Sequence, residues 1–159
     1  GFYHIKAFII RMPNVYFMAR NENYSVKGVP TKIMFRELID QATAGAPIEV
    51  WGDPGRLKDM TYVKDVAQLY YKACFTDREY GFYNAGTGIG TSLLDQIKGI
   101  IEVFCEDKVS EIIMRPDRQN APEYIMDISK AKEELGYEPA YSYLDMLRDM
   151  KKERKLARY

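Results

Sequence analysis

Apolar positions along the chain fall either in short continuous runs or at helical spacing. The run 5-IKAFIIRM-12 is apolar throughout, the pattern of a parallel-sheet strand buried on both faces. Such a strand needs neighbours and nothing in the sequence precedes it, so the chain is expected to be a piece of something larger. A polar loop is read over 18-MARNENYSVKG-28. A helix is predicted over 31-TKIMFRELIDQATAG-45, with Ile33, Met34, Leu38, Ile39 and Ala42 near helical spacing and Gly45 just past its end. Short strands are predicted at 48-IEVW-51 and 60-MTYV-63, with turn chemistry between them in 52-GDPGR-56.

Asp65 is placed to cap a helix over 66-VAQLYYKACF-75, with Val66, Leu69, Tyr70 and Ala73 on one face. After 81-GFYNAG-86 a helix is predicted from Leu93 to Phe104, then a strand at 111-EIIM-114 and a loop, 115-RPDRQNAPEY-124. A short helix from Ser129 to Gly136 follows. The last helix opens with the capping box 142-SYLD-145. Strands alternate with helices, which places the chain in the α/β or α+β class.

Composition narrows the function. The 159 residues suffice for one domain with a real core. Twenty-three basic residues balance 23 acidic ones, so no global field points to nucleic acid or a membrane surface. The basic run 151-KKERKLARY-159 reads as a solvated helix end. Cys74 and Cys105 each fall in an apolar-periodic segment and read as small core residues, which fits a reducing cytoplasm. With His4 as the single histidine, a histidine-based metal site or a Ser-His-Asp triad is not expected. No run approaches the length of a membrane span.

Gly86, Gly88 and Gly90 suggest a phosphate-cradling loop. The spacing fails, because a dinucleotide fingerprint needs G-x-G-x-x-G and the third glycine here comes one position early. Ser92 and Asp95 form a capping box immediately afterwards, so the glycines are read as a structural turn into the helix.

The segments 48-IEVWGDPGRLKDMTYVKDVA-67, 82-FYNAGTG-88 and 127-DISKAKEELGYEP-139, with 9-IIRMPNVY-16, together resemble the C-terminal portion of the extended short-chain dehydrogenases/reductases. These are the NAD-dependent nucleotide-sugar epimerases and dehydratases. The resemblance implies an α/β fold: part of a Rossmann-type sheet plus the small α/β substrate-binding subdomain, with residues 1–159 as one C-terminal portion. It also implies a parent that is a homodimer and uses NAD to take a hydride from the sugar of a nucleotide diphosphate sugar. The family's cofactor loop and its Y-x-x-x-K pair belong upstream of residue 5. None of the 13 tyrosines here has Lys four residues on. The expectation is a chain without turnover, since it lacks the catalytic pair. A non-catalytic nucleotide-sugar-binding or sensor module on the same architecture is the alternative.

The resemblance also nominates substrate-binding residues. Asn14 matches the family's turn Asn, which bonds the substrate phosphate or sugar; an Asx-turn is the alternative. Lys58 stands where the family usually has a diphosphate-gripping Arg, and Arg56 lies two residues earlier, so either one is a candidate phosphate contact. Arg118 matches a phosphate-binding Arg, in preference to Arg115. Tyr124 is expected to flank the sugar, and Trp51 to stack on the base or serve as core or lid. Val29-Pro30 fits the substrate-loop pattern. Asp59 is expected to order the turn. Strands at 5–12 and 82–84 without partners would expose edges and favour self-association.

Overall fold

The computed structural model describes residues 5–18 and 23–156. In chain order the elements are β1 (Ala7–Arg11), β2 (Val15–Tyr16), β3 (Asn23–Val26), β4 (Val29–Lys32), α1 (Met34–Ala44), β5 (Ile48–Trp51), β6 (Leu57–Asp59), β7 (Thr61–Tyr62), α2 (Val63–Phe75), β8 (Tyr80–Asn84), β9 (Gly90–Ser92), α3 (Leu93–Phe104), β10 (Ile112–Arg115), α4 (Ser129–Leu135) and α5 (Tyr143–Leu156). The fold is α/β, as expected, and it divides into two compact units.

The first unit holds described residues 5–17, 57–90 and 124–141. β1 and β8 pair in parallel, with Ile9 opposite Phe82 and Arg11 opposite Asn84. The two strands expected to lack partners therefore pair with each other. Phe8 and Ile10 pack on a core of Val66, Leu69, Tyr83, Ala85, Ile128, Ala131 and Tyr137. The opposite face is open, and Ile9 is 64% exposed. This corrects the reading of 5–12 as buried on both faces. An apolar run reports hydrophobicity, but burial on the second face needs a covering layer, which the run alone does not supply.

Helix α2 starts at Val63, earlier than predicted, so Asp65 lies in its first turn instead of capping it. Asp65 is buried, and its Oδ1 accepts the Ala140 N–H at 2.7 Å. Cys74 is exposed while Cys105 is buried, so only Cys105 behaves as a core residue. The Cys74 misreading has a simple cause: α2 buries its Val66, Leu69 and Ala73 stripe, and position 74 falls off it.

The second unit holds described residues 18, 23–56, 91–123 and 142–156. β5 pairs in parallel with β10, Ile48 opposite Ile112 and Trp51 opposite Arg115. Helix α3 packs against α1, α5 and β5. The buried residues Ile39, Ile48, Val50, Ile97, Ile100, Leu147 and Met150 form its interior. Part of the expected polar loop is ordered as an antiparallel hairpin, with β3 against β4 and Val26 opposite Val29. Val29-Pro30 thus begins a strand, and α1 starts only at Met34. At the start of α3 the Asp95 N–H donates to Ser92 Oγ at 3.0 Å, as the capping box predicts.

The basic C-terminal run is more engaged than a solvated end. Lys151 Nζ lies 3.0 Å from Glu106, and Arg154 pairs with Asp40 at 2.8 Å. His4 and residues 157–159 lie outside the described residues. Among the described residues, no helix is long and apolar enough to cross a membrane.

Candidate functional site

The glycine turn is filled from within the first unit. Asp59 is fully buried. Its carboxylate accepts the Thr87 N–H at 2.9 Å, the Gly88 N–H at 3.1 Å, the Met126 N–H at 3.2 Å, and the hydroxyls of Thr87 and Thr61 at 2.7 and 3.0 Å. A buried charge is stable only when hydrogen-bonded in this way. The turn is built to this shape. Gly88 adopts φ +71°, and a Cβ on Gly86 would meet Met126 Cβ at 2.5 Å and Asp59 Oδ2 at 2.8 Å. A dinucleotide phosphate at this turn would meet a carboxylate where it needs N–H donors. The residues present do not fit NAD there, in agreement with the structural reading of the loop.

The same strand carries Lys58 on its way into Asp59. Tyr124 pairs with this strand: Asp59 N–H donates to Tyr124 O at 2.9 Å, and Tyr124 N–H donates to Leu57 O at 3.2 Å. On the other side β2 pairs in parallel with β7, placing Tyr16 opposite Tyr62. The result brings Asn14, Lys58 and Tyr124 together. The Asn14 N–H donates to the Tyr124 hydroxyl at 3.3 Å. Lys58 Nζ lies 5.8 Å from the Tyr124 ring centroid and 5.9 Å from that of Tyr16, within cation–π range.

Tyr16 is the member that the sequence did not nominate. Burial pushes its phenol up to about 12, against a hydrogen bond from the Asn14 side chain, with the Asp59 charge adding to the rise. Burial likewise raises the Tyr124 phenol, opposed by Asn14 and Lys58. Both hydroxyls therefore stay neutral at physiological pH, and Lys58 is the cation of the cluster. The only local signal for Tyr16 was its place two residues after Asn14.

The second unit holds the arginine candidates. Arg115 donates to Glu49 at 2.8 Å and lies 3.2 Å from Asp117. The Asp117 hydrogen bond and charge, with Glu49, raise its pKa further. Arg118 stands 5.3 Å over the Trp51 ring and 3.9 Å from Asp117. Trp51 lines a cleft of about 670 Å³ together with Leu38, Pro47, Leu93, Gln119 and Asn120. Arg56 is partly buried, 3.6 Å from Glu123, with its Nε lacking a hydrogen-bond partner.

Asn120, also not nominated by the sequence, clasps the turn at 52–56. Its Oδ1 accepts the Asp53 N–H at 2.8 Å, and a Cβ on Gly52 would clash with that oxygen. Gly52, at φ +72°, permits this close approach.

A glycine turn closed by an internal carboxylate and parallel strand pairs with helices packed on them make an α/β fold in which the Asn14, Lys58 and Tyr124 cluster lies apart from the glycines. The family follows from the sequence: residues 2–86 match the model of the NAD dependent epimerase/dehydratase family, and the chain belongs to that family. NAD is that family's cofactor. The dTDP-glucose 4,6-dehydratase of Xanthomonas campestris pv. campestris is 28% identical over 138 residues, covering 77% of this chain and 37% of the relative. The UDP-glucuronate 4-epimerase of Thermodesulfobacterium geofontis is 29% identical over 119 residues, covering 75% of this chain and 36% of the relative. The UDP-glucose 4-epimerase of Thermotoga maritima, solved with UDP-glucose, superposes with a TM-score of 0.70 at 25% identity, over 98% of this chain and 48% of that one. The chain spans less than half the length of these proteins.

Proposed function

We propose that this chain supplies the nucleotide-sugar-binding portion of an NAD-dependent nucleotide-sugar epimerase or dehydratase. The convergence of Asn14, Lys58 and Tyr124 in the first unit carries the reading. A lysine ammonium is a compact point charge with three donors, suited to a phosphate oxygen. Tyr124 offers a ring edge and hydroxyl to a sugar. Lys58 has no carboxylate among its described close partners, whereas Arg56, before the strand, faces Glu123. The second unit has its own provision for a nucleotide, a cation over an aromatic face in Arg118 and Trp51.

In the family reaction, NAD would accept and return a hydride at the sugar. The residues here would bind and orient the substrate, and the Tyr-Lys pair that moves the proton is absent from these 159 residues. The chain alone is therefore proposed to bind without turnover. Incubation with NAD and either UDP-glucose or dTDP-glucose, followed by chromatography, tests this. Unchanged sugar is expected, and measurable conversion would overturn the proposal.

A further inference from the structure

We propose that Tyr16 is a positioning residue: with Tyr124 it holds the Lys58 ammonium near two aromatic rings and fixes where the first unit presents its positive charge to a phosphate oxygen. The inference rests on the nucleotide-sugar reading for the identity of the anion, but the clamp itself is read from geometry. A lysine in place of a planar guanidinium keeps the charge and loses the rigid fork. Its four-carbon stem would otherwise sample many rotamers, and ordering it on binding costs affinity.

Backbone pairing, and not the lysine side chain, sets both rings. Tyr16 is placed by the parallel pairing of Val15 with Thr61 and Tyr16 with Tyr62. Tyr124 is placed by its bridge to Lys58 itself. Asn14 then ties the two phenols, its side chain bonding the Tyr16 hydroxyl and its N–H donating to the Tyr124 hydroxyl. The ammonium sits at nearly equal distances from the two centroids, 5.9 and 5.8 Å. Each ring face attracts the cation while leaving its donors available to an outside acceptor.

The test uses the full chain and two readouts. In carbon-13 lysine NMR of the free protein, the Lys58 ε-methylene protons are expected upfield of the other lysines. They should return toward them in Tyr16→Leu and stay upfield in Tyr16→Phe. Calorimetric titration with UDP should show Tyr16→Leu weakening binding about fivefold. It should show no further loss when Tyr16→Leu is combined with Lys58→Ala, and Tyr16→Phe should stay within about twofold of the parent.

An unshifted Lys58 in the parent overturns the clamp. So does an equal loss from Tyr16→Leu in the presence and absence of Lys58, which would mark a packing role only. If Tyr16→Leu does not fold by circular dichroism, Tyr124→Leu removes the other ring and must move the same resonance; no movement overturns the clamp. A shifted Lys58 in a chain that binds no UDP upholds the clamp and overturns the nucleotide reading.

Discussion

The Asp59 carboxylate accepts the Thr87 backbone N–H at 2.9 Å, across 28 residues of sequence. This contact gives the glycine turn its function as a support. It anchors the strand that presents Lys58 to the turn at 86–88 and, through the Met126 N–H, to the segment that carries Tyr124.

Removing that anchor should be costly. Asp59→Ala leaves the buried Thr61 hydroxyl and several part-buried N–H and O–H donors without their acceptor, and each buried unsatisfied group costs about 1–3 kcal/mol. The unfolding free energy in urea is expected to fall by about 3 kcal/mol or more. A loss below roughly 0.5 kcal/mol, the scale of an unremarkable surface change, would contradict the anchor.

The α3 cap should give a smaller and separable effect. Ser92→Ala removes the oxygen that accepts the Asp95 N–H and is expected to cost about 1 kcal/mol in the same assay. Ser92→Asp, which keeps an acceptor, should recover most of it. Equal losses in both variants would show that the cap contributes nothing.

Asp65 gives a dependence on pH. Burial raises its pKa above the ordinary 3.8, against hydrogen bonds from the Ala140 and Tyr141 backbone. The folded state therefore binds the proton more tightly than the unfolded state. Its contribution to stability is full below the ordinary value and is lost as pH rises through the folded one. Asp65→Asn should remove this decline, so the variant gains on the parent as pH increases from about 4 to 7. A variant that instead loses ground over that range would reverse the sign and refute the account.

Self-association is expected at the β1–β8 pair. Among the described residues the sheet has two strands, and one face carries the exposed Ile9 and Phe82. Exposed edges and apolar faces of this kind favour pairing with another copy. Light scattering should show mass rising with concentration, less so in Ile9→Lys. A mass that stays monomeric throughout counts against it.

The regular elements were legible because their signals are local. Apolar spacing and Ser92 gave α3, Gly136 ended α4, and the Ile48–Trp51 run gave β5. The Asp59 network was not legible beyond its role in ordering a turn, since it joins positions 59, 87, 88 and 126 through contacts that no spacing rule encodes. Tyr16 was missed for the same reason: its partner Lys58 is brought to it by the pairing of β2 with β7. The exposed face of β1 and the exposed Cys74 were misread because periodicity reports which side chains are apolar, while burial depends on what covers them. Asn14, Lys58 and Tyr124 were nominated through the family resemblance, and neither composition nor charge pointed to them.

Calorimetric titration of the chain with UDP-glucose and dTDP-glucose, repeated with Lys58→Ala, tests the central claim most directly. Saturable binding of at least one nucleotide sugar is expected. Lys58→Ala should weaken it by about tenfold or more, the scale of one charge-assisted contact of roughly 1.5–3 kcal/mol. No binding of either ligand at millimolar concentration, or equal affinity in the parent and Lys58→Ala, would contradict it.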